Sequence, residues 1–413
     1  MVAQVSRRGF LSGSAAAVLT SASGASVLAS CSNDAQADQE RRQRVAFEGA
    51  NQSGITTPAP QHAIVVSFTC VAHDAVELQA MFRTLTIQTR DLMAGVTSSD
   101  LDPLLPPNDN LIVGVHPPAD DLTITVGVGA SLFDVRYGLA ERRPKQLVAM
   151  PTFPNDKPDP SRLHGDIVIQ ICAGSQEMCN RVLRRLMRAT RDSLVLKWMM
   201  PGFTQPNLLG TGRASQRNLL GFKDGTSNPD HNRADLMDEL VWVAAGDDEP
   251  SWTAGGTYAA VRLIRNRVEF WDRTPFRTQE TVIGRDKANG APLGMANETD
   301  IPDFAADPSG VQFRLDGHIR RANPRTAEMG KNRILRRGYN YSAGFDAAGQ
   351  LDQGLLFVCF QRTLEDGFLA IQSRLDGEAL EEYITPFGGG LYFVLPGVAA
   401  STDSFADALF IQQ

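Results

Sequence analysis

Short apolar runs, each followed by a segment with apolar residues at helical spacing, recur along the chain, and this order of elements limits the folds open to it. Residues 63–68 read as a strand, and 74–93 place Val76, Leu78, Met81 and Leu85 at the spacing of one helix face. Residues 122–128 alternate as a strand. Residues 166–172 form another, leading into a helical segment at 175–193 and a returning strand at 194–199. The second half repeats the pattern, with apolar runs at 240–243, 257–264, 355–360 and 391–395 and a helix expected over 363–375. No repeat of residues accompanies the repeat of elements, so the duplication rests on their order alone. Short strands with returning helices suit an α+β fold, in which helices pack on antiparallel sheets. Two ferredoxin-like halves fit better than a parallel doubly wound sheet.

A chain of 413 residues exceeds one ordinary core. We divide it into a leader at 1–37, a polar arm or tether at 38–60, a first domain at 61–219 and a second at 220–413. With 42% hydrophobic and 21% charged residues the body reads as globular, and beyond the leader no apolar run approaches the roughly 20 residues of a membrane span. The net charge of −7 repels a polyanion and argues against nucleic acid as a partner. The five cysteines, Cys31, Cys70, Cys172, Cys179 and Cys359, lack zinc-like spacing. Cys172 and Cys179 are close enough in sequence to pair in an oxidising compartment. Cys70, Cys172 and Cys359 sit in apolar runs, where a small buried thiol is the commoner reading.

At the N-terminus, Ser6-Arg7-Arg8-Gly9-Phe10-Leu11 precedes a stretch rich in Ala, Ser and Gly, which resembles a twin-arginine export signal. That route carries folded proteins, often with a cofactor in place. Ala35-Gln36-Ala37 has the form read by a signal peptidase, and Leu28-Ala29-Ser30-Cys31 resembles a lipobox whose cysteine would anchor the protein to a membrane. We favour cleavage after Ala37, giving a product free in the periplasm or outside the cell.

Three dense segments carry the chemistry. Gly221-Phe222-Lys223-Asp224-Gly225-Thr226-Ser227-Asn228-Pro229 is a turn by composition, but its glycines would also let the backbone approach a flat ligand while Asp224 accepts and delivers a proton. Asp316-Gly317-His318-Ile319-Arg320-Arg321-Ala322-Asn323-Pro324-Arg325 holds one of six histidines. A neutral imidazole can ligate haem iron axially, and arginines suit haem propionates. Ile334-Leu335-Arg336-Arg337 follows, an exposed basic turn on its own terms.

Together these segments resemble the dye-decolourising peroxidases, whose GxxDG motif, proximal His in an H-x-R-x-x-N-P-R setting and distal Arg occur in this order. The resemblance extends to His164-Gly165-Asp166, 355–360 and Gly388-Gly389-Gly390, and so spans nearly all the chain after Gln61. It implies haem b, one per chain, bound mainly by the second half with His318 as axial ligand. Gly225, Thr226, Ser227, Asn323, Pro324, Arg325 and Arg336 would contact it. Asp224 would move the proton of hydrogen peroxide, and Arg336 would stabilise charge on the departing oxygen and the ferryl product. A carboxylate should orient His318 from its far ring nitrogen; of Asp403 and Asp407 we prefer Asp403. Phe357 and Phe360 suit core packing as well as haem contact. Within the family the leader and the Leu-Arg-Arg-Gly-Tyr wording point to the exported deferrochelatase/peroxidase branch, associated with bacterial iron uptake.

The resemblance thus implies a peroxidase that reduces hydrogen peroxide and oxidises organic donors such as dyes or porphyrins. Two alternatives stay open: a deferrochelatase that removes iron and leaves the tetrapyrrole intact, and an exported haem carrier without catalysis. The physiological donor, any iron-uptake partner and a homo-oligomeric state are not fixed by the residues, and no relay among Trp198, Trp242, Trp252 and Trp271 is singled out.

Overall fold

In a computed structural model the protein is described over residues 42–96, 104, 106–107, 109–205, 216–401 and 403–410. Arg7, Arg8, Cys31 and Ala37 lie outside the described residues. Gln43–Gln413 form one compact unit. No helix among the described residues is long and apolar enough to cross a membrane.

The first half opens with strand β1 (His62–Cys70), followed by helix α1 (Ala75–Ala94), β2 (Thr123–Gly129), β3 (Ile167–Ala173), α2 (Gln176–Ala189) and β4 (Leu194–Phe203). Helix α1 starts where Asp74 stops the preceding chain: its carboxylate accepts from the amides of Val76 and Glu77, both at 2.9 Å. It ends at Gly95, whose φ of 74° closes the last turn. Leu78, Met81, Phe82, Leu85, Leu92 and Met93 form its buried stripe. Ser175 caps α2 in the same way, accepting from Met178. Successive β1 residues part company as the pleat requires: Ile64, Val66 and Phe68 join the core under the helices, whereas Ala63 and Val65 join a second core on the opposite face.

The second half has β5 (Thr257–Asn266), β6 (Leu335–Arg336), β7 (Tyr339–Phe345), β8 (Leu351–Gln361) and β9 (Ile384–Val394). Its helices are short: α3 (Ala234–Leu240) precedes β5, α4 (Val268–Trp271), α5 (Phe276–Ile283) and α6 (His318–Ala322) lie between β5 and β6, and α7 (Ala370–Leu375) between β8 and β9. Strands of the first half lie in the order β4-β1-β3-β2 and those of the second in the order β9-β5-β8-β7, all antiparallel. Counted within each half, and setting aside the two-residue β6 that pairs with β8, both are 4-1-3-2, which is the ferredoxin-like order. Each half is therefore a copy of one topology, although no residue repeat betrays it. Pairing of β2 with β9 and of Phe203 with Asn340 joins the two sheets into a closed ring. The barrel interior is filled by Trp198, Tyr339, Tyr341, Leu356, Tyr392 and their neighbours. Residues 43–60 run along this body: Phe47 is buried, and the Gln52 amide donates to the carbonyls of Val126 and Leu395 at 2.8 Å each, across the β2–β9 seam.

Two sequence expectations fail locally. Leu240-Val241-Trp242-Val243 is not a strand; α3 ends at Leu240 and a turn follows, apolar because it is buried rather than because it pairs. The helix expected at 363–375 is broken: a π-turn at Glu365–Leu369 bends at Gly367, and only Ala370–Leu375 is regular. Cys172 and Cys179 are buried free thiols, the outcome favoured over a disulfide.

Candidate active site

Strand alternation sets one wall of the site. Val261 and Leu263 of β5, and Leu356 and Val358 of β8, point into the barrel, so Arg262, Ile264, Leu355 and Phe357 point outward. In the first half the equivalent face is covered by α1 and α2. Here it borders a cavity of about 260 Å³, closed elsewhere by the 216–229 loop, α6, Arg333 to Arg336 and α7.

The 216–229 loop turns at Gly225, whose φ of 97° would strain any residue with a side chain. Asp224 is held by its backbone, which donates to Gln216 O at 2.8 Å, and its Oδ1 meets the Arg336 guanidinium at 2.9 Å. Both side chains keep part of their surface open to the cavity, 22% for Asp224 and 28% for Arg336. Asn228 ties the loop to the strand: its side-chain amide donates to Arg336 O at 2.8 Å and its Oδ1 accepts from Arg336 N at 3.2 Å.

His318 is the first residue of α6. Its Nδ1 lies 2.6 Å from Oε2 of Glu378, whose side chain is only 4% exposed. A carboxylate accepts, so Nδ1 carries the proton and Nε2 keeps the free lone pair. Burial lowers the imidazole pKa, but the Glu378 carboxylate more than offsets it and leaves His318 above its ordinary value. Glu378 therefore takes the place expected for Asp403. The Asp403 carboxylate accepts from Ala400 N, and Arg90 of α1 reaches the Asp403 carbonyl. The Asp407 carboxylate accepts from the amide and the hydroxyl of Ser404. Both sit in a C-terminal segment packed on the first half, away from the cavity.

Positive charge gathers at the cavity. Arg285 is buried, donates to the carbonyls of Gly290 (2.6 Å) and Glu298 (2.9 Å), and is pushed down to about 10 by burial, aided by the charges of Arg325 and Arg336. Arg325 has a φ of 64°, a left-handed conformation uncommon for this residue type, and donates to Ser227 Oγ at 3.1 Å. Arg320 turns away, donating to the carbonyls of Asp307 and Phe313. Arg262 forms an ion pair with Asp156 between the rings of Phe153 and Phe368.

Of the residues selected from sequence, Asp224, Gly225, Thr226, Ser227, His318, Asn323, Arg325 and Arg336 line this one cavity, and Pro324 does not. Phe357 lines it too, whereas Phe360 belongs to the barrel core. Sequence reasoning missed Glu378, Asn228 and Glu298. Asn228 stood inside the quoted motif but was read only as a turn residue.

Known proteins carry the same arrangement of halves. Residues 52–204 match the model of the Dyp-type peroxidase N-terminal domain and residues 215–399 that of the C-terminal domain. Over 371 residues the chain is 50% identical to the deferrochelatase of Escherichia coli strain K12, covering 89% of this chain and 88% of that one, and equally so to the deferrochelatase of Shigella flexneri. Among solved structures, ferric DtpA from Streptomyces lividans superposes with a TM-score of 0.80 at 33% identity over 89% of this chain and 97% of that chain. A DyP-type peroxidase from Cellulomonas bogoriensis gives 0.78 at 31% identity, with 88% and 97% covered. The chain belongs to the Dyp-type peroxidase family, and is a haem peroxidase built from two ferredoxin-like halves.

Proposed function

We propose that the cavity between α6 and the outer face of β5 and β8 would hold haem b, with His318 Nε2 holding its iron and Asp224 and Arg336 handling hydrogen peroxide. The observation that carries this reading is that one cavity collects two charged pairs, His318–Glu378 and Asp224–Arg336, beside apolar side chains that include Ile264, Leu355, Phe357 and Leu375. The residues fit the group. With Nδ1 engaged by the buried Glu378, His318 offers Nε2 as the one imidazole nitrogen that haem iron would ask of the protein. Arg285, Arg325 and Arg333 supply positive charge for its carboxylates.

Bound haem would supply the redox-active iron for peroxide reduction. The protein's part is proton transfer and charge. An Asp224 carboxylate oxygen takes a proton from the peroxide oxygen that binds and returns it to the one that leaves as water. Arg336 stays protonated, and its guanidinium offsets negative charge on the departing oxygen. Glu378 holds the His318 ring in one tautomer and raises its electron donation. Electrons come from a reducing substrate.

An absorption spectrum of the purified protein tests the cofactor. A Soret band is expected, and His318→Ala should lose it or weaken it strongly; a parent protein that takes up no haem would contradict the reading.

A second reading is favoured by the 50% identity to proteins named deferrochelatase: removal of iron with the tetrapyrrole left intact. Free protoporphyrin appearing without peroxide turnover would support it. We also read 61–219 and 220–413 as the two domains, and Arg7 and Arg8 as the twin-arginine pair that delivers the protein to the periplasm for iron uptake. Changing both arginines to Lys should then leave it in the cytoplasm.

A further inference from the structure

Glu298 lies outside every motif quoted above, yet its carboxylate grips both flanks of Asp224. Oε1 accepts from the Thr226 hydroxyl at 2.8 Å, and Oε2 meets the Lys223 ammonium at 2.6 Å. The Glu298 and Lys223 side chains are 10% and 9% exposed, so this ion pair is screened far less than a surface one. Lys223 reaches the carboxylate by passing over Gly290, where a Cβ would come within 2.7 Å of the lysine stem. The anchor is itself anchored, because the buried Arg285 donates to the Glu298 carbonyl at 2.9 Å and to that of Gly290 at 2.6 Å. Asp224 thus sits between two residues tied to one carboxylate, and the backbone of the residue that bears it is tied to Arg285 in the cavity wall.

We propose that Glu298 is a positioning residue for Asp224: it fixes the loop so that the Asp224 carboxylate stays within hydrogen-bond reach of both Arg336 and peroxide. The proposal rests on the reading of Asp224 as the group that moves the peroxide proton. Proton transfer depends steeply on geometry, and a displacement near 1 Å can cost about 10²-fold in rate. The loop's own bonds, Asp224 N to Gln216 O and Asn228 N to Gly225 O, define the turn, and Asn228 ties its far end to the Arg336 backbone; Glu298 holds the Lys223 and Thr226 side chains on either side of Asp224 itself. Glu298 touches neither peroxide nor haem in this account.

The test uses the haem-loaded protein as parent, Glu298→Ala, Glu298→Gln, Asp224→Asn and the Asp224→Asn/Glu298→Ala double variant. Stopped-flow mixing with peroxide gives the second-order rate, and hydrogen–deuterium exchange follows the 216–229 segment. Glu298→Ala should slow the reaction by about 10-fold to 10²-fold and speed exchange in that segment, while exchange in α1 and α2 stays unchanged. Glu298→Gln keeps an acceptor for Thr226 but loses the charge facing Lys223, so it should fall between; it also serves if the alanine variant loads haem poorly. The double variant should be no slower than Asp224→Asn alone, because a positioning residue has nothing left to position. A parental rate in both Glu298 variants, or a double variant slowed by the product of the single effects, overturns the proposal while leaving Asp224 in its role. A parental rate in Asp224→Asn removes that role and the proposal with it.

Discussion

The two halves share one strand order and differ in what they lay over it. In the first, α1 and α2 run for 20 and 14 residues and cover the outward face of the sheet with Leu, Met and Phe. In the second, α5, α6 and α7 have only eight, five and six residues, and the same face is left to border the cavity. One copy of the topology is closed by amphipathic helices; the other gives up that packing for a pocket ringed by charged groups. The difference teaches that stability and chemistry are divided between copies. A helix long enough to seal the second sheet would fill the space the cofactor needs.

The division can be broken most severely from the first half. Phe82 is fully buried on α1, and Phe82→Ala should remove about 3–5 kcal/mol of stability. Denaturant unfolding measures the loss, and the fraction that remains folded should bind haem with an unchanged spectrum. A spectrum altered at low denaturant would show that the halves are not so separable.

In the second half the expected balance is reversed. Glu378→Gln keeps the shape and a hydrogen bond to His318 but removes the charge, so haem affinity should fall by about 10-fold to 100-fold, as for other partners of metal-binding histidines. Titration of haem into the haem-free variant reads this, and its melting temperature should stay close to that of the parent.

The smallest effect concerns pH. In the haem-free protein Glu378 raises the His318 pKa above that of an unfolded histidine, which is near 6.5. The protonated imidazole therefore stabilises the fold fully below that value, and the contribution disappears as pH rises through the folded-state pKa. Melting temperature should decline over that window by about 2 °C or less, and the decline should be absent in Glu378→Gln. An equal decline in the variant would assign it to another group.

What the sequence made legible follows the same division. Strands β1, β3, β5 and β8 and helices α1 and α2 were readable because burial on one or both faces prints a period of two or of 3.6 on the residues. Leu240-Val241-Trp242-Val243 misled because four buried apolar residues look alike in a strand and in a turn. Asp224, His318 and Arg336 stood out through the glycines and arginines around them. Glu378 did not: it is 60 residues from His318, in a turn after α7, and nothing local distinguishes one glutamate from another. The choice of Asp403 failed because the C-terminal segment packs back on α1, where Phe405 N donates to Thr86 Oγ1, a contact between distant parts of the chain that no local pattern announces. Glu298 was invisible for the same reason, since its meaning lies in which two residues it holds.

The central claim is that Asp224 and Arg336 are the peroxide-handling pair of a haem site held by His318. Stopped-flow mixing of hydrogen peroxide with haem-loaded Asp224→Asn and Arg336→Leu tests it most directly. Both variants should bind haem as the parent does, while the first spectral change slows by about 10² to 10⁴-fold for the loss of the proton acceptor and about 10² to 10³-fold for the loss of the charge. Parental rates in both would contradict the account and leave the cavity as a haem-binding site without this chemistry.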